Sequence, residues 1–139
     1  MPKENNIQHV LIANRGEIAI RIARAATEAG IETTAVYAED DAASLHARRA
    51  DNAVALKGVG PAAYLDVAGV IAAAKSAGAD SIHPGYGFLS ENAVFAETVE
   101  QADLRFIGPS PDALRTFGDK ANARALAVGF WRLHMGGVQ

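Results

Sequence analysis

No cysteine occurs among these 139 residues. Disulfide staples, thiolate metal sites and a cysteine nucleophile are therefore excluded. Positive charge is also in short supply: 13 Lys and Arg stand against 16 Asp and Glu, a net charge of −3. Without a basic footprint, neither nucleic acid nor an anionic membrane surface is an expected partner. No apolar run approaches the roughly 18 residues of a membrane-spanning helix. The opening "MPKENNIQHV" lacks the apolar stretch of a signal peptide. A cytoplasmic setting is the expectation.

Two nucleotide fingerprints are missing as well. No Walker A pattern occurs, which disfavours a P-loop site. The first strand-to-helix turn, "ANRGEIAIR", carries only Gly16 where a dinucleotide fingerprint needs three glycines for close backbone approach to a pyrophosphate. Read alone, it is a tight turn and helix start with Arg15 and Glu17 in solvent.

What is present is a well-patterned chain. Half the residues are hydrophobic and 21% are charged, which argues for a packed core and for one domain at this length. Strand-length apolar runs, "HVLIA", "TTAVYA", "NAVAL", "SIH" and "LRFIG", alternate with segments of helical period. The clearest helix runs from about Glu17 to Ala29, with Ile18, Ile22, Ala25 and Ala29 on one stripe. Glu17–Arg21 and Arg24–Glu28 are i,i+4 pairs of opposite charge, and Gly30 supplies a stop. A helix after Asp66 as N-cap ends at Gly78, another is expected over "NAVFAETVEQA", and "SPDALRTFG" opens with Ser then Pro, a strong start signal. "ASLHARRA" reads as a short helix or irregular segment. This alternation predicts a doubly wound, mostly parallel sheet of about five strands with helices on both faces.

Two further stretches invite chemistry. "HPGYGFLSEN" follows the fourth strand, at the sheet's carboxyl end, where α/β folds place ligand crevices. Gly85 and Gly87 permit positive φ, and Tyr86 and Phe88 are large groups where a plain turn would be polar. Its bland alternative is a packed connection with Phe88 in the core and His83 as a hydrogen-bonded core histidine. Glu91 has no second carboxylate at ligand spacing, so no metal site is expected. In "FGDKANARA", Lys120 at a first helical turn opposes the helix dipole unless an anion is near, making it a candidate phosphate contact or a solvated lysine.

Three stretches together, "IANRGEIAIRIARAATEAGIETTAVYAEDDAASLHARRAD", "IHPGYGFLSENAVFAE" and "FIGPSPDALRTFGDKANAR", resemble the N-terminal domain of biotin carboxylases. The same module opens the biotin carboxylase part of acetyl-, propionyl- and pyruvate carboxylases, and the resemblance covers roughly residues 7–127. It implies a Rossmann-like pre-ATP-grasp domain, followed in that family by an ATP-grasp domain. It also implies ATP, Mg²⁺ and biotin as cofactors, and bicarbonate and a biotin-carrier protein as partners, in a homodimer or carboxylase complex. Lys120 matches the family's ATP-contacting lysine. Tyr86 and Gly87 match the loop facing biotin and bicarbonate, Glu91 is a weaker match, and Arg24 and Glu28 fall on a helix resembling part of a dimer interface.

The expected division is a domain over 1–118 and, over 119–139, the start of a linker to an ATP-grasp domain. From about residue 128 the chain reads "VGFWRLHMGGVQ", which departs from the family pattern. A frameshifted or prematurely ended reading frame is the expected origin, and a stand-alone binding or interaction module the alternative. Without the ATP-grasp domain, the chain is expected to be inactive as a ligase.

Overall fold

The computed structural model describes residues 7–108 and Leu114. The expected helix over "SPDALRTFG", Lys120 and the segment 119–139 lie outside the described residues.

Five strands form one parallel sheet: β1 (His9–Ile12), β2 (Glu32–Tyr37), β3 (Asn52–Ala55), β4 (Ser81–His83) and β5 (Arg105–Phe106). Their order is β3-β2-β1-β4-β5, with every pair parallel. The chain moves outward from β1 to β3, crosses back over the sheet, and resumes at β4 on the other side of β1. That switch point lies between β1 and β4, where Ile12 pairs with His83. β1 is buried along its whole length, as an apolar run covered on both faces must be. β3, an edge strand, is mostly exposed.

Two layers of side chains result. Val10 and Ile12 pack against Ala19, Ala23 and Ala26 of α1 (Gly16–Glu28). Leu11, Val36 and Ile82 point the other way, into the larger core made with α3 (Val67–Ala77) and α4 (Ala93–Gln101). The short α2 (Leu45–Arg49) packs beside α1 and over β2 and β3. Burying the large core residues Tyr64, Phe95, Leu11 and Ile82 contributes about 1.5–3 kcal/mol each before entropy is counted.

The helix ends follow local chemistry. The Asp66 carboxylate accepts the Gly69 amide at 3.1 Å, and Gly78 closes α3 in the left-handed conformation at φ 78°. Asn92 caps α4 by accepting the Phe95 amide at 3.0 Å. The Lys75 ammonium donates to the Ala102 carbonyl, tying the end of α3 to the end of α4.

One difference from the sequence reading matters for the site. The face of α1 that seals the sheet is alanine (Ala19, Ala23, Ala26), whereas Ile18 and Ile22 are half-buried and Ala25 and Ala29 exposed. Small side chains let the helix backbone lie close on β1, and this turns the isoleucine stripe aside. The displaced stripe borders an open apolar groove of about 650 Å³, lined among others by Val10, Ile107, His83, Gly85 and Tyr86.

Candidate functional site

Three loops gather at the carboxyl end of β1, β2 and β4. They are the "ANRGE" turn before α1, the acidic "EDD" turn after β2, and "HPGYGFLSEN" after β4.

The acidic turn, a single 3-10 turn over Glu39–Asp41, acts as a clasp. Glu39 accepts the Gly58 amide at 3.2 Å and Asp40 the Gly60 amide at 3.0 Å, fixing the glycine-rich loop after β3. Asp41 turns toward the first loop. It receives Arg15 Nε at 3.0 Å and Arg15 Nη2 at 3.1 Å, a bidentate pair, and the Tyr64 hydroxyl at 2.6 Å. The Tyr64 oxygen in turn accepts the Ala38 amide at 3.0 Å. The guanidinium of Arg15 sits 5.7 Å from the centre of the Tyr64 ring, within cation–π reach.

These contacts set the titration of the cluster. The hydrogen bond from Arg15, then that from Tyr64, holds Asp41 below the ordinary carboxylate range. The Arg15 pKa is raised, chiefly by its bond to Asp41. Burial, seconded by the bond to Asp41, pushes the Tyr64 phenol up to about 12. Arg15 is exposed, as the turn alone suggested, but its guanidinium is held in a bidentate pair with Asp41. Glu17 does remain exposed, and it forms the expected i,i+4 pair with Arg21 at 3.3 Å.

The cleft loop has unusual backbone geometry. Gly85, Gly87 and Phe88 all have positive φ, at 69°, 66° and 48°. For Phe88 that conformation carries steric strain, so the surrounding packing must hold it. Its ring stacks at a tilt on Tyr64, with centroids 5.8 Å apart. Phe88 sits at the rim, 36% exposed, and Leu89 is the residue that enters the core at 2%. The left-handed turn at 88 lifts the phenylalanine off the sheet and drops its successor in, which a plain packed connection with Phe88 buried would not do.

Tyr86 is 74% exposed and lines the groove, and Gly87 is exposed beside it. His83 is half-buried, and burial lowers its pKa. Its Nδ1 accepts the Gly85 amide at 3.1 Å, which leaves the proton of the neutral ring on Nε2. Glu91 is exposed at the far end of the loop.

Asn14 lies within "ANRGEIAIR" but was not singled out there. It is 1% exposed, and its Nδ2 donates to both the Pro84 and the Tyr86 carbonyls at 2.7 Å. A polar residue following a fully apolar strand was the only hint in the sequence. Arg24 and Glu28 lie away from this end, lining a separate dent with Ile20, Thr27 and Arg49. They form no ion pair with each other. Among the described residues, no three His, Asp or Glu side chains gather into a metal-ligand set.

A parallel, doubly wound α/β domain with an ordered, glycine-rich loop beside its switch point belongs to the class that binds ligands at the carboxyl ends of its strands. The particular family follows from comparison with known proteins: the chain belongs to the biotin carboxylase N-terminal domain family, whose model, "Biotin carboxylase, N-terminal domain", matches residues 6–114. It is 52% identical over 124 residues to mitochondrial pyruvate carboxylase of Rattus norvegicus, covering 88% of this chain and 10% of that protein. It is 52% identical over 122 residues to biotin carboxylase 1 of Bacillus subtilis, covering 85% of this chain and 26% of that protein. A solved biotin carboxylase domain of a single-chain bacterial carboxylase is 60% identical, with a TM-score of 0.80, over 86% of this chain and 28% of that one. The chain therefore spans between a tenth and about a quarter of these relatives. Among the described residues, no helix is long and apolar enough to cross a membrane.

Proposed function

We propose that this chain serves as the N-terminal domain of an ATP-dependent biotin carboxylase, which converts ATP, bicarbonate and a biotin carrier to carboxybiotin, ADP and phosphate. The observation that carries this reading is the meeting of "ANRGE" and "HPGYGFLSEN" at one end of the sheet, tied through Asn14. Two motifs 70 residues apart in the chain become the two sides of one loop support.

In this reading Tyr86 and Gly87 face the biotin and bicarbonate side of a cleft, with Glu91 a more distant contributor. Exposed backbone and a phenol at a groove mouth can orient a substrate by shape and hydrogen bonding. Lys120 supplies a cation to the ATP phosphates as phosphoryl transfer begins. Arg24 and Glu28 belong to a subunit interface, where two opposite charges without an ion pair among the described residues can pair with their copies on another helix. The domain runs over 1–118, and 119–139 begins the connection to an ATP-grasp domain, without which the chain is inactive. A cytoplasmic location accompanies this reading.

The test is a chimera in which residues 7–127 replace the matched segment of biotin carboxylase 1 of Bacillus subtilis. ADP release dependent on bicarbonate and biotin is expected from the chimera and not from the 139-residue chain. Lys120→Ala should abolish it, and Tyr86→Ala should raise the KM for biotin. A folded chimera without biotin-dependent ADP release would overturn the assignment. Turnover by the chain alone, lost in Lys120→Ala, would overturn its inactivity.

A further inference from the structure

We propose that Asn14 is the positioning residue of the cleft loop, holding Tyr86 at the groove mouth, and Gly87 beside it, through the Pro84 and Tyr86 carbonyls. The inference rests on the reading that this loop faces substrate, but its geometry stands apart from it.

Asn14 lies two residues beyond the end of β1 and is buried to 1% exposure. Around its carboxamide the structure places two acceptors and one donor. The Pro84 and Tyr86 carbonyls each receive Nδ2 at 2.7 Å, and Oδ1 accepts the Arg15 amide at 2.8 Å. That arrangement dictates the orientation of the amide group, because an oxygen facing two carbonyls would repel both. It also dictates the residue. Aspartate at this place has the right shape and no hydrogens, serine has one, and glutamine is a methylene too long.

Gly85 completes the fit. A Cβ at this position would lie 2.8 Å from Asn14 Nδ2 and 2.8 Å from Ile18 Cγ2. The loop therefore rests directly on the carboxamide only because residue 85 has no side chain. The φ of 69° at Gly85 reinforces the same requirement. Among the described residues no side-chain hydrogen bond of Tyr86 is seen, and Tyr86 is 74% exposed. Its position is set from behind, by Asn14 through the carbonyl and by Tyr64 through the stacked Phe88. Asn14 touches neither groove nor solvent, so it acts on a ligand only through the loop.

NMR on the 139-residue chain tests this. In the wild-type protein both Asn14 Nδ2 protons should exchange with water at least about tenfold more slowly than those of exposed Gln101. In Asn14→Ala and Asn14→Asp the heteronuclear NOE of the Tyr86 and Gly87 amides should fall to about half, reporting fast loop motion, while Ala35 and Val36 in β2 keep theirs. A merely structural role would lower the β2 values along with the loop. Unchanged NOE values at Tyr86 and Gly87, or a loss spread equally over β2, overturns the proposal. If neither variant folds, the wild-type exchange decides: Nδ2 protons as fast as those of Gln101 overturn it, and protected ones support it. None of these readings depends on turnover, so failure of the biotin carboxylase assignment leaves them unaltered and separately visible.

Discussion

The Tyr64 hydroxyl donates to Asp41 at 2.6 Å while accepting the buried Ala38 amide at 3.0 Å. A single phenol thus joins the end of β2, the acidic turn and the Arg15 turn, and its ring supports Phe88. Tyr64→Phe keeps the ring and removes the oxygen, stranding the amide of the fully buried Ala38. The expected cost is about 1–3 kcal/mol, read as a lower denaturation midpoint in urea with an unchanged slope. An unaltered midpoint would show that this bond contributes no net stability.

The same phenol makes stability sensitive to alkali. Its folded pKa of about 12 lies above the ordinary 10.0, so the protonated form is favoured by folding. Its contribution is full below pH 10 and is lost as pH rises from 10 toward 12. Two units correspond to on the order of 3 kcal/mol. Thermal unfolding followed over this range should show a steeper loss in the wild type than in Tyr64→Phe, and parallel curves would contradict it.

On the acid side two groups act in different windows. The folded pKa of His83 is lowered by burial, so the unfolded chain takes up this proton first and stability begins to fall as pH drops through about 6.5. Asp41 is also lowered, by its bonds from Arg15 and Tyr64. Its contribution is full above the ordinary carboxylate pKa of 3.8 and disappears below it, through the folded value. His83→Gln should remove the first decline and leave the second, as measured by denaturant midpoints at successive pH values.

Gly85 and Gly87 share a left-handed backbone but differ in surroundings. A Cβ at 87 meets nothing within 4 Å, whereas one at 85 meets Asn14 and Ile18 at 2.8 Å. Gly87→Ala should cost about 1–2 kcal/mol from backbone strain alone. Gly85→Ala should add a further ~1–3 kcal/mol of overpacking. Equal midpoints for the two variants would refute the close approach of the loop to Asn14.

For ATP itself, calorimetry on the 139-residue chain should show no binding in the low micromolar range. One lysine cannot offset the loss of ligand freedom that a cleft between two domains would recover. Low-micromolar affinity would contradict the reading of an incomplete site.

Much of the fold was legible in residue order. β1 announced itself as a continuous apolar run because a parallel strand is covered on both faces. α3 announced both its ends, because Asp66 and Gly78 satisfy or terminate the backbone by local chemistry. The motifs "ANRGEIA" and "HPGYGFLSEN" likewise pointed to the family, which the match over residues 6–114 shows. Local signals survive in the sequence because they act between residues close in the chain.

What the tertiary structure decided lies between distant residues. Periodicity placed Ile18 and Ile22 on one stripe, but only packing against β1 chose the alanine face for the core and left the isoleucines beside a groove. Arg15 read as a solvated cation and is exposed, but only the fold brings Asp41, 26 residues away, within 3.0 Å of it. Asn14 lies within "ANRGEIA", but nothing local names its partners; its role appears only where β4 lies beside β1 and brings Pro84 and Tyr86 within 2.7 Å. The sequence by itself determined the elements and the family, since those follow from local propensity and residue identity. Which side chains meet depended on the order of strands in the sheet, and that order is a property of the whole chain folded at once.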